Sequence, residues 1–154
     1  MNIETKKFDF IKAEAKKLYD SQRENYNPFF KSNITFSSDG FHHLQFSARR
    51  ERNKSEQILK FRLLPLAIGI IRNSGTLQEY RKNLLGIGKK GKDGLRKTKE
   101  VEYFGFIAIV GKEKIKIRVV LRRVGDGNIT FWSVMSYSKL KKGQKKYTDG
   151  IDDE

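Results

Sequence analysis

The chain contains no cysteine. That excludes disulfide staples and thiolate zinc sites, and removes the usual mark of a small secreted scaffold. Histidine is nearly as scarce. His42 and His43 are the only two and they are adjacent, so no spaced imidazole set is present and neither a metal nor a cofactor is expected. Acidic residues number 18 against 33 basic ones and lie scattered through helices and tails. The converging carboxylates of a two-metal nuclease are not found. No apolar run approaches the ~20 residues of a membrane-spanning helix. The start also lacks the basic region and apolar core of an export signal. The expectation is a soluble protein with no membrane partner and no evident export route of its own.

What remains is charge and aromatic surface. The 154 residues suit one domain around one core, so a single domain over 1–154 is expected. The formal charge of +15 draws such a chain toward nucleic-acid phosphates, an anionic membrane surface or an acidic protein. Eleven Phe and six Tyr argue against a disordered polymer.

The stretch from Tyr103 to Tyr137 organises the rest. Turns at Gly111-Lys112-Glu113 and Gly125-Asp126-Gly127-Asn128 divide it into runs over roughly 103–110, 114–123 and 129–137, rich in Ile, Val, Phe and Tyr. It reads as an antiparallel three-stranded meander. In the middle run Ile115, Ile117, Val119 and Leu121 alternate with Lys114, Lys116, Arg118 and Arg122, while Val120 breaks the pattern. Period two places a buried apolar set on one face and a row of cations on the other. In the last run Thr130, Trp132, Val134 and Ser136 share a face, opposite Ile129, Phe131, Ser133, Met135 and Tyr137. A solvated sheet face is the ordinary reading of such a row. A polyanion site is the functional one.

Before the meander, Phe8, Ile11, Ala15, Leu18 and Tyr19 recur at helical spacing, so an amphipathic helix is expected over about 4–24, ending before Asn27-Pro28. Ile34–Phe36 and Phe41–Phe46 read as short strands around Ser38-Asp39-Gly40, which aims His42 and His43 at opposite faces. A helix follows from about Ser55, its expected N-cap. Pro65 should kink it or divide it into 56–63 and 65–72. TLQEYRKNLL is short and either helical or extended. Residues 86–99 hold four glycines and six cations and read as a mobile basic loop. Its Gly86, Gly88 and Gly91 match GxGxxG but lack the strand and helix that pattern needs, so nucleotide binding is rejected. The tail over 139–154 runs from basic to acidic and is expected to be poorly ordered.

With no metal set, the available chemistry is metal-free RNA cleavage, in which the 2′-hydroxyl attacks its own phosphate. It needs a base, an acid and cations for the developing charge. His43 is the candidate for proton transfer because imidazole titrates near neutral pH, with His42 as the other choice. Arg49, Arg50 and Arg52 are candidate phosphate clamps. Lys116, Arg118 and Arg122 are candidates as a group on one strand face. Ser133 and Ser136 could donate to a phosphate oxygen, and Trp132 and Tyr137 could stack a base.

The order of these segments, FHHLQFSARRER, ILKFRLLPLAIGII, LQEYRK and then KIKIRVVLRRVGDGNITFWSVMS, resembles the barnase/EndoU/colicin/RelE-like (BECR) ribonuclease superfamily, in its phage-associated, contact-dependent-inhibition toxin branch. The resemblance covers about 41–137 and implies an α+β fold with amino-terminal helices packed on a small carboxy-terminal antiparallel sheet. The helix within 1–30 precedes that core. It further implies a metal-independent endoribonuclease that cleaves RNA, tRNA above all, to a 2′,3′-cyclic phosphate. By carry-over, His43 matches the family's early histidine, Arg118 or Arg122 its strand cation and Ser133 its late-strand hydroxyl. His43, Arg122 and Ser133 are therefore the expected catalytic set, and Arg49, Arg50, Lys116, Arg118 and Trp132 the expected RNA-binding residues. It implies an acidic immunity protein or antitoxin as partner, and action in the cytoplasm, with delivery as part of a larger secreted polypeptide. The alternative is a non-catalytic basic nucleic-acid-binding protein of a mobile element, which charge alone would explain.

Overall fold

A computed structural model describes residues 3–87, 90–95 and 97–137. The elements run α1 (Ile3–Ser21), β1 (Glu24–Asn27), β2 (Ser32–Thr35), α2 (Ser38–Gln45), α3 (Lys54–Asn73), β3 (Glu79–Ile87), β4 (Lys97–Val110), β5 (Ile115–Val124) and β6 (Thr130–Tyr137). The fold is α+β. Its six strands form one sheet in the order β1-β2-β6-β5-β4-β3. All neighbours pair antiparallel except β2 and β6, which meet in parallel at Thr35 and Thr130. Among the described residues no helix is long and apolar enough to cross a membrane.

Helix α1 stops at Ser21, short of the expected end, because Glu24–Asn27 is taken up as β1 against β2. Helix α3 is capped by Asn53, whose side-chain oxygen accepts from the Glu56 amide at 2.9 Å, and not by Ser55. Pro65 does not divide α3, which is helical from Lys54 to Asn73. The lost backbone bond is outweighed by the buried stripe of Phe61, Leu64, Ala67, Ile68 and Ile71, since packing contributes most of a helix's stability in a protein.

The largest correction concerns 38–45, which is helical and not extended. Over so short a run strand and helix periods are hard to tell apart. Burial of Gly40, Phe41, His43 and Leu44 follows the helix period. Gly40 permits the close seat of α2. A Cβ there would lie 2.5 Å from both the Phe131 carbonyl oxygen and the Tyr19 hydroxyl. Gly40→Ala is therefore expected to destabilise the protein by about 2 kcal/mol through overpacking, lowering Tm by roughly 6 °C. A thermal melt indistinguishable from wild type would contradict this packing.

The sheet has two unequal faces. Phe104, Phe106, Ile117, Val119, Leu121, Phe131 and Val134 face the helices and join Tyr19, Phe61, Leu64 and Ile71 in the main core. The opposite, outer face carries a smaller cluster of Val101, Tyr103 and Val120, with Leu85, Val124 and Trp132 against it. Buried Tyr19 donates to the Ser37 carbonyl, and burial pushes its hydroxyl far above the ordinary tyrosine range, so it stays neutral.

A bulge explains why the expected alternation of the last strand fails. Val120 pairs with Ser133 and Leu121 with Phe131, which leaves Trp132 between them. Phe131 and Val134 then share the main core while Trp132 joins the outer cluster. Val120 breaks the cation row on β5 as expected, and Arg118 is withdrawn from the row as well, being 4% exposed and ion-paired to Glu79 at 2.8 Å. TLQEYRKNLL is extended from Glu79 on, as β3 pairs with β4 from Glu79 and Gly105 out to Ile87 and Lys97, so strands take up both ends of the expected basic loop, while 90–95 are in no strand. Gly88 and the tail over 139–154 lie outside the described residues.

Candidate functional site

Pairing places Arg81, Tyr103, Arg122 and Thr130 side by side across the outer face, from β3 to β6. Helix α2 packs beside β6. Between helix and sheet lies an open cleft of about 630 Å³, walled by Asp39, His42 and His43 on one side and by Asn83, Leu85, Tyr103, Arg122 and Trp132 on the other. The helical form of 38–45 is what brings both histidines here. Consecutive residues on a helix lie about 100° apart, not the half-turn of a strand, so both can border one cleft.

Trp132 is the centre of the cleft. The His43 imidazole stacks on it with centroids 4.1 Å apart and planes 17° apart. The Arg122 guanidinium carbon stands 4.1 Å above its ring and 5.9 Å from the Tyr103 ring. Arg122 makes no ion pair with a carboxylate among the described residues, and its Nε is buried without a hydrogen-bond partner. A guanidinium held by aromatic faces keeps its forked donors for an incoming anion.

Arg52 pins the histidine segment from below. Its Nε donates to the His43 carbonyl at 3.1 Å, and its Nη2 lies 3.4 Å from His43 Nε2. A guanidinium has no lone pair to offer, so where this contact forms, Nε2 accepts and the ring proton sits on Nδ1. His43 is only 5% exposed. His42 is exposed and stacks on Phe46 at 4.5 Å.

Of the residues singled out from the sequence, His42, His43, Arg122 and Trp132 meet in the cleft. The others do not. Ser133 is fully buried and accepts from Lys60 Nζ at 3.2 Å, as a strut between α3 and β6. Arg118 is held by Glu79, a crossing that Gly105 permits, since a Cβ at that glycine would lie 2.9 Å from Glu79 Cβ. Lys116 is exposed on β5, six residues from Arg122 and so about 20 Å along the strand. Arg49 is exposed beside the cleft residues Ser47 and Ala48, whereas Arg50 pairs with Glu56 at 3.0 Å. Arg52 is a buried support, Ser136 is half-buried on β6, and the Tyr137 side chain lies outside the described set.

Sequence reasoning missed Asp39, Asn83 and Tyr103 as cleft residues. Strand pairing of Tyr103 with Arg122 was the available signal for the last. Nothing local marks the other two. Among the described residues, no three His, Asp or Glu side chains gather as a metal-ligand set.

Charge on the opposite face is largely compensated. Glu102 accepts from Tyr80 at 2.6 Å and from Arg123 at 2.6 Å. Burial pushes its carboxyl up, but those two hydrogen bonds and the Arg123 charge more than offset this and hold it below the usual range. This contribution to stability is present at neutral pH and lost as pH falls through the lowered value. Comparison of the chain with protein-family models, curated proteins and solved structures finds no match.

Proposed function

We propose that the protein is a metal-independent endoribonuclease and that the cleft of α2 and the outer sheet face is its active site. The observation that carries this reading is Arg122, a guanidinium seated on Trp132 near Tyr103, with no acidic partner among the described residues, in the same cleft as two histidines. In this scheme the phosphate accepts from Arg122, and a base stacks on the aromatic surface beside it. The 2′-hydroxyl gives its proton to an imidazole, and its oxygen forms a bond to phosphorus. The bond to the 5′-oxygen breaks, that oxygen takes a proton from water, and the hydroxide so formed takes the proton held by the imidazolium, leaving a 2′,3′-cyclic phosphate and a neutral imidazole. His42, the exposed member of the pair, is the proton acceptor. His43, held by Trp132 and Arg52, is a positioning residue. Ser133 takes a packing role in this scheme. Transfer RNA is the favoured substrate through the resemblance to BECR ribonucleases, and an acidic inhibitor protein would suit the same cationic mouth.

The test is incubation with total RNA in excess EDTA. Wild type is expected to give discrete fragments ending in cyclic phosphate. His42→Ala should cut the rate by about a hundredfold or more. His43→Ala should lower it less, with a changed melting temperature. A second reading, binding without turnover, is favoured by the platform of Tyr103, Arg122 and Trp132, which by itself suits single-stranded nucleic acid. Intact RNA combined with strongly salt-dependent binding would select it.

A further inference from the structure

The acidic residues of β3 and β4 are divided unevenly between the two faces of the sheet, and β5 has none. On the helix side Glu100 pairs with Lys82 at 3.2 Å and Glu102 with Arg123 at 2.6 Å. On the outer face Glu79 is taken up by Arg118 at the far end. The outer face of the β3–β4 arm keeps its positive charge. Lys97 and Lys99 pair in register with Ile87 and Leu85, and period two sets them on the face of the cleft residues Asn83 and Tyr103. Both lysines are exposed and have no ionic partner among the described residues. They stand six and four residues from Tyr103, about 20 and 13 Å along β4. Leu84, on the other side of the arm, is 70% exposed, so the helices do not cover this part of the hairpin.

The geometry points to the outer face of the β3–β4 arm as the track along which an RNA strand leaves the cleft, with Lys99 and Lys97 taking successive phosphates. The substrate is then a polynucleotide held several nucleotides away from the bond that is cut. This rests on the proposed nucleic-acid role of the cleft. It adds that a minimal dinucleotide fills the cleft without engaging the arm.

The test uses the full chain and a 2′-O-methylated RNA of about twelve nucleotides, which cannot be cleaved and is within the size of one single-strand site. Affinity is measured by fluorescence anisotropy across a salt series. Lys97→Gln/Lys99→Gln is compared with Lys6→Gln/Lys17→Gln, which removes two exposed lysines of α1, on the helix side of the sheet. Each phosphate contact contributes about 0.7 to the slope of log K against log salt for a single strand, so the arm variant should lose about 1.4 and the α1 variant almost nothing. The arm variant should also cleave a dinucleoside phosphate at the wild-type rate.

Equal slopes for wild type and arm variant overturn the track. So do equal losses from both variants, because net charge would then be the cause. Neither result touches the cleavage assay. Binding with the expected slopes but no cleavage would remove the ribonuclease reading and leave the track standing. Absence of any binding by wild type would remove both.

Discussion

Arg122→Lys is expected to lower RNA cleavage in EDTA about a hundredfold while leaving the folded state in place. A single well-aimed donor to a developing oxyanion is commonly worth about a hundredfold or more. Lysine keeps the charge but loses the planar fork and the flat stacking surface. The stacking is specific here, with the guanidinium carbon 4.1 Å above Trp132 and its Nε buried without a partner. Stability should change by less than about 1 kcal/mol, because a partly desolvated cation–π contact contributes roughly that much and lysine retains part of it. The measurement is the initial rate on one RNA, with a thermal melt alongside. An Arg122→Lys variant with wild-type rate and an unchanged melt would mean that the fork and the stack do nothing for the reaction, and the cleft would lose its main claim.

Phe131→Ala is expected to have the largest effect on folding, about 4 kcal/mol, the usual cost of deleting a fully buried phenyl ring. In a chain of this size that lowers Tm by roughly 12 °C. Phe131 is fully buried, and its ring lies 4.9 Å from Phe36 and 6.0 Å from Tyr19. Its carbonyl also faces Gly40 of α2. One residue thus joins β6 to α1, to the residue after β2 and to the helix that carries both histidines. Thermal and urea denaturation check the value. A loss below about 1.5 kcal/mol would show that the site collapses around the missing ring, contrary to close packing. Because α2 rests on Phe131, cleavage by this variant should fall at temperatures where the protein is still folded.

The meander was legible because it rests on the strongest local signals. Two glycine-bearing turns bound runs of β-branched and aromatic residues, and the inner set Ile117, Val119 and Leu121 is buried as the alternation requires. The amino-terminal helix was legible for the same reason. Where reading failed, longer-range packing had decided. The fold around Gly40 turns on a contact with Phe131, over ninety residues downstream. Asn53 caps α3 in place of Ser55 because Glu56 completes the pair with it. Residues 86–99 read as a loop because glycine and lysine dominate them, although β3 and β4 stay paired out to Ile87 and Lys97, and TLQEYRKNLL reads as either helix or strand because pairing with β4 decides it.

By itself the sequence determined the fold class and the excess of positive charge, which depend on composition and on periods of two and 3.6 residues. It also marked His43 and Trp132, whose residue types are rare in this chain, and Arg122 as one of a group of strand cations. Only the tertiary structure decided which cations are available to a ligand. Arg118 and Arg122 lie two turns of the pleat apart on one strand and look alike in the sequence. Glu79, carried in from β3, takes up one of them, while Trp132, turned outward by a bulge, leaves the other open to an anion. Such pairings depend on which strands become neighbours, and strand neighbours are set by the packing of the whole sheet against its helices.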